Sequence, residues 1–273
     1  MQPKPNFRLY NRKTKDFFAT KTQKKPKSLH NTNLFIYICE PKPNLKMSTD
    51  KKIRVLTIQF DAEISSQEIV WFRGAVLKSL GDNADLLYHN HIGNHTNRYA
   101  YPLIQYKRIQ KKAAVMGIGK GIEVISQLLS VKDFNYQIGN RNVQMQIDAV
   151  KTYDTDIVIT KDTTHPYRLH NWLPLNSENY RQYQESNSIV ERIQMLERVL
   201  VGNILSFLKG LDLYMEGKID LHITDIIGQK AYTYKNVKMM AFNIEFKTNI
   251  QLPQYVGIGK SASVGCGVLT IVK

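Results

Sequence analysis

The spacing of apolar residues changes period along residues 53–145 in an order that few folds accommodate. Ile53, Val55, Thr57 and Gln59 alternate with Arg54, Leu56, Ile58 and Phe60, which predicts a strand covered on one face and partly on the other. Ser65 and Glu68 then form a capping box, and Ile69, Phe72, Val76 and Leu80 recur at helical spacing until Gly81-Asp82-Asn83. Tyr101–Ile109 and Ala113–Ile118 read as a hairpin turning at Gln110-Lys111-Lys112. A second helix follows Gly121, and another hairpin opens at Tyr136 and turns at Gly139-Asn140-Arg141-Asn142. Strand, helix, strand, strand, helix, strand is the ferredoxin-like order.

The second half is of the same kind. Pro166–Leu173 reads as a strand, and a helix starts behind Pro174-Leu175-Asn176-Ser177-Glu178. A long helix over Ile189–Lys209 carries the stripe Ile189, Ile193, Leu196, Leu200, Ile204 and Phe207. Strands follow at Ile219–Asp225, Ala231–Tyr234, Val237–Phe246 and Val264–Val272. The expected class is α+β: two tandem ferredoxin-like domains with antiparallel sheets, over residues 47–158 and 159–273.

Composition narrows the function. A hydrophobic content of 42% supplies a core, and the formal charge of +15 points to a polyanionic partner. Eleven basic and two acidic side chains fall in residues 1–46, a Lys-, Pro- and Asn-rich stretch expected to be a basic disordered tail or a mis-annotated start ahead of Met47. Two cysteines, Cys39 and Cys266, are too few for a disulfide framework or a four-thiolate zinc site, and they suit a reducing cytoplasm. No apolar run approaches the roughly 18–20 residues of a membrane span, so no membrane partner is expected.

Near the C-terminal end, Gly257-Ile258-Gly259-Lys260-Ser261-Ala262-Ser263-Val264-Gly265-Cys266-Gly267 places four glycines in a G-x-G-x5-G-x-G pattern. Such a loop exposes backbone N–H groups and, with Lys260, Ser261 and Ser263, makes a phosphate cradle; it also reads as a glycine-rich turn. A nucleotide-binding P-loop is excluded, because Gln254 stands where its first glycine belongs and a strand pattern follows.

This terminal glycine pattern resembles the signature of the CRISPR-associated repeat-cleaving endoribonucleases, the Cas-six type of the RAMP superfamily. The likeness extends over 47–273 through the two RAMP- or RRM-like halves, the Trp172–Leu175 segment and a paired-histidine stretch, and is nearest the b-subtype. It implies metal-independent cleavage of CRISPR precursor RNA within the repeat, leaving a 5′-hydroxyl and a 2′,3′-cyclic phosphate, with no cofactor. Repeat RNA is the implied partner, together with other Cas proteins of an effector complex. The family includes dimers, so a homodimer is a further expectation. The competing reading is a non-catalytic RNA-binding RAMP subunit.

His89, His91 and His95 lie between the first helix and the strand at Tyr101. Three histidines in seven positions suit a metal site, an acid–base pair or a polar loop. Metal ligation is the weaker reading, because no cysteine or acid lies within Tyr88–Tyr101. Imidazole titrates near neutrality, and on extended chain His89 and His91 share a face. By resemblance they are acid and base for attack by the RNA 2′-OH, with Tyr99 as supporting donor, Tyr101 as its competitor, His95 in reserve and Lys78 as an electrostatic helper. His165, His170 and His222 read as structural. Lys107, Arg108, Lys111, Lys112 and Lys120, interleaved with Tyr99, Tyr101 and Tyr106, are expected to bind RNA; the plainer reading is a solvated hairpin. Gly257, Gly259, Lys260, Ser261, Gly265 and Gly267 complete the expected RNA contacts.

Overall fold

The structure, a computed structural model, describes residues 52–80, 91–92, 96–97, 101–234 and 237–272. The segment 1–46, with Cys39, lies outside the described residues, as do His89, His95 and Tyr99.

The first half is built on β1 (Lys52–Glu63), β4 (Ile104–Ile109), β5 (Lys112–Ile118) and β8 (Ile147–Asp156), in the antiparallel order β4-β5-β1-β8. Two-residue strands β2 (His91–Ile92) and β3 (Thr96–Asn97) pair with one another. Helix α1 (Ile69–Leu80) starts at the expected box: Ser65 N donates to Glu68 Oε2 at 2.6 Å, and Glu68 N donates to Ser65 Oγ at 3.3 Å. Phe72 and Val76 of α1, α2 (Gly121–Ile125) and the hairpin β6–β7 (Phe134–Ile138 and Arg141–Met145) cover the face of β1 that carries Leu56, Ile58 and Phe60. Phe60 meets Phe72 and Phe134 edge-on at 5.7 and 5.1 Å between centroids. The turn between β4 and β5 is two residues, Gln110 and Lys111, both at positive φ although neither is glycine.

One expectation is corrected here. The hairpin after Tyr136 pairs only within itself, and the strand that completes the sheet is β8. Its residues are half-buried or exposed with none fully buried, so hydrophobic pattern marks it weakly.

In the second half β9 (His165–Trp172), α3 (Ser177–Glu185), α4 (Ile189–Gly210), β10 (Leu221–Tyr234), β11 (Val237–Thr248) and β12 (Val268–Ile271) give the sheet order β10-β11-β9-β12. This repeats the first sheet's order, and residues 249–267 hold no helix where the ferredoxin-like order has its second one. Asn176 caps α3 by accepting from Asn179 N, and Ser188 caps α4 by accepting from Glu191 N. Leu196, Leu200, Ile204 and Phe207 are buried as the stripe predicts, whereas Ile189 is exposed on the first turn of α4. The two short strands expected over 219–234 are one strand with two register shifts, at Ile223/Asp225 and Ile226/Gly228. The last strand is shorter than expected, since 257–267 fold as a loop.

The halves share a core. Trp172, Phe242, Ile244 and Phe246 pack with the α4 stripe, and the same cluster takes in Ile53, Val55, Met116 and Ile118 from the far face of the first sheet. Sheet one is thus buried on both faces along part of β1.

Candidate RNA-processing site

The glycine loop is the joint between the halves. Tyr106 N in β4 donates to Ser263 O at 2.8 Å, and Tyr106 and Val264 form a parallel bridge. Gln105 Oε1 accepts from Gly257 N at 2.8 Å, and Tyr101 Oη donates to Gly257 O at 2.7 Å. The loop closes on itself where Ile258 N donates to Gly267 O at 2.7 Å.

Close approach explains the glycines. A Cβ on Gly267, at φ +60°, would fall on the carbonyl oxygen of Ile258. One on Gly265 would meet Ile69 Cδ1 of α1 at 2.6 Å, and one on Gly259 would meet Asn203 Oδ1 of α4 at 2.6 Å. Asn203 is held there by Trp172 Nε1, which donates to it at 2.9 Å. The interior of the loop is buried through Ile258, Ala262, Val264 and Cys266. Lys260 at its tip is exposed, with Ser261 and Ser263 half-buried beside it.

Tyr101, the competitor of Tyr99, is 8% exposed. Its hydroxyl lies between Gln105 Nε2, which donates to it at 2.7 Å, and Gly257 O. Burial drives its pKa far above the ordinary tyrosine value. Tyr101 is a fastener of the loop. His91 lies in β2 opposite Asn97, ten residues ahead of that fastener.

The five cations expected on one hairpin are separated by the structure. Lys107 is 1% exposed, on the same face of β4 as Gln105, and its Nζ has no hydrogen-bond partner among the described residues. Burial pushes its pKa down to about 7, partly offset by nearby Cys266. Arg108 Nε donates to Ile64 O, Lys112 pairs with Asp148 at 2.8 Å, and Lys120 pairs with Asp212 at 3.2 Å. Lys111 and Lys120 flank opposite ends of the seven-residue β5, a strand about 20 Å long. A cation on a strand reads as solvated from sequence; in the fold Lys107 is buried with Cys266, from the loop at 257–267, nearby. Sequence pattern does not single out Gln105 or Asn203 as partners of the glycine loop. Gln105 has a faint signal, a polar residue between the apolar Ile104 and Tyr106, and Asn203 has none.

His170 Nε2 lies 3.0 Å from Thr270 Oγ1, and its pKa is lowered by burial and by Arg168. His222 is exposed beside Glu197, and His165 Nε2 is buried without a partner among the described residues. Among the described residues no group of three or more His, Cys, Asp or Glu side chains could hold a metal ion. No described helix is long and apolar enough to cross a membrane.

Comparison with known families places this architecture. The Cas6b N-terminal domain matches residues 51–156 and the Cas6b C-terminal domain matches residues 159–272. The chain belongs to the Cas6b family. A crystal structure of Cas6b is 29% identical, with a TM-score of 0.72 over 81% of this chain and all of that one. A crystal structure of the CRISPR RNA processing endoribonuclease Cas6b is 26% identical, with a TM-score of 0.62 over the same shares. An uncharacterized protein of Methanocaldococcus jannaschii is 38% identical over 96 residues, which span 35% of this chain and 64% of that relative.

Proposed function

We propose that this protein cleaves CRISPR precursor RNA within the repeat to release guide RNAs, without a metal ion. The observation that carries the reading is the bond from Tyr101 to Gly257, which pins the chain leaving the histidine stretch to the glycine loop. In this reading one continuous strand of RNA contacts both. Lys260, Ser261 and Ser263 at the loop tip hold backbone phosphate while the histidines act on the neighbouring one.

His89 and His91 are the acid–base pair. One imidazole takes the proton of the 2′-OH as that oxygen attacks phosphorus. The other, protonated, delivers its proton to the 5′-oxygen as the P–O5′ bond breaks. The products are a 2′,3′-cyclic phosphate and a 5′-hydroxyl. Each transfer contributes on the order of 10²–10⁴-fold. Tyr99 supports the charge that develops on the phosphoryl oxygens. The same reading takes 47–158 and 159–273 as the domains and 1–46 as tail or over-extended start, which N-terminal mass spectrometry of the native protein checks.

The test is incubation with repeat RNA in EDTA. Cleavage is expected, blocked by a 2′-deoxy sugar at the scissile position and lost in the His89→Ala/His91→Ala double variant with RNA binding retained. RNA that stays intact while bound makes the protein a non-catalytic RAMP subunit. Cutting of the 2′-deoxy RNA overturns the mechanism.

A further inference from the structure

An open groove of about 820 Å³ runs between α1 and the β6–β7 hairpin, apart from the glycine loop. Its central feature is Trp71, 52% exposed on α1 although the helix buries Phe72 and Val76 beside it. The indole is not loose. A Cβ at Gly139, which sits at φ +60° in the hairpin turn, would meet Trp71 Cε3 and Cζ3 at 2.8 Å, so the six-membered ring rests on the turn's backbone.

Around it the chemistry is that of bases and phosphate. Strand β6 turns Phe134, Tyr136 and Ile138 inward and presents Asn135 and Gln137 outward; Asn142 stands opposite Gln137 across the ladder. No hydrogen bond among the described residues engages the side-chain amides of these three. An amide offers donor and acceptor together, matching the edge of an unpaired base. Lys78 lines the groove one residue before Ser79, whose hydroxyl lies 3.4 Å from the Tyr136 hydroxyl, and none of the described lining residues is acidic. A groove for an apolar peptide would need aliphatic pockets in place of these amides.

We propose that this groove binds unpaired nucleotides of the RNA substrate, with Trp71 as a stacking platform, Asn135, Gln137 and Asn142 facing base edges, and Lys78 facing phosphate. The inference rests on the RNA-processing reading and adds to it a second, single-strand subsite. A ring already held by Gly139 loses little rotational freedom on stacking, so the contact is efficient.

The chain has two tryptophans, and the other, Trp172, is fully buried beneath the glycine loop, so only the quenching that Trp71→Leu removes is assigned to Trp71. The full-length protein is titrated with the ten-nucleotide RNA A10 and with a ten-base-pair RNA duplex. Saturable quenching by A10, weaker with the duplex, is expected. Trp71→Leu, an exposed change that leaves the core intact, should abolish the quenching and weaken A10 binding, read by anisotropy of labelled RNA, about 5- to 150-fold. Lys78→Gln should weaken it less and flatten its salt dependence. Emission unchanged at saturating A10, or equal affinity in Trp71→Leu, overturns the groove proposal and leaves the surface to a protein partner. Because A10 binding is read without cleavage, failure of the nuclease reading shows separately, as intact repeat RNA in EDTA.

Discussion

Tyr101 and Gly257 stand 156 residues apart in the chain, yet the phenol of the first donates to the carbonyl of the second at 2.7 Å. Gln105 completes the contact by donating to the same phenol and accepting from Gly257 N. Three buried polar groups thus satisfy one another where β4 meets the glycine loop.

Tyr101→Phe leaves Gly257 O and the Gln105 amide without that partner, at a cost of about 1–3 kcal/mol. Its thermal midpoint should fall by several degrees, while single-turnover cleavage of repeat RNA well below that midpoint stays within a few-fold of wild type. Tyr99→Phe should show the opposite split, with a lower rate and an unchanged midpoint. Equal loss of rate in both variants at low temperature would contradict this division of roles.

Gly267→Ala places a methyl on the carbonyl oxygen of Ile258 and strains a residue at φ +60°. Strain alone costs on the order of 1–3 kcal/mol, and the loop must also open. Gly202→Ala in α4 is the control, with nothing within 4 Å of the added carbon. It should stabilise by about 0.5–1 kcal/mol through helix propensity. Urea unfolding of the pair checks both signs.

Lys107 binds a proton in the unfolded chain up to its ordinary value of 10.5, but in the folded chain only below about 7. Across that window the unfolded state holds more protons, so this residue's contribution raises stability as pH increases and is least favourable below about pH 7. Lys107→Met should remove that slope and raise the midpoint at pH 7. Denaturation of both proteins at pH 7 and pH 9 measures it, and parallel pH dependences would refute the assignment.

Lys260→Gln removes the exposed cation at the loop tip. Repeat RNA should bind more weakly, and the slope of log K against log salt should fall by about 0.7–0.9, the value for one phosphate contact. An unchanged slope would take Lys260 out of the RNA interface.

Local signals carried much of the architecture into the sequence. The Ser65–Glu68 box, the α4 stripe from Leu196 to Phe207 and the period of β1 are each written within a dozen residues, and each folds as it reads. What sequence hid was long-range. The glycine spacing is visible in 257–267, but its use as a joint depends on Tyr101, Gln105, Ile69 and Asn203, residues with no common pattern. Lys107 reads as a surface cation for the same reason: Cys266, near it in the fold, is encoded far along the chain. Trp71 falls off the helical stripe of Ile69, Phe72 and Val76, and its exposure follows from that offset.

The joint also has a consequence for biosynthesis. The rim of β4 is completed at Tyr106 by Ser263 and Val264, about 160 residues later in translation. At roughly 5–20 residues per second the ribosome needs on the order of ten to thirty seconds to deliver them. For that interval the nascent first half carries an uncapped strand edge, a template for wrongful pairing between neighbouring chains on one messenger.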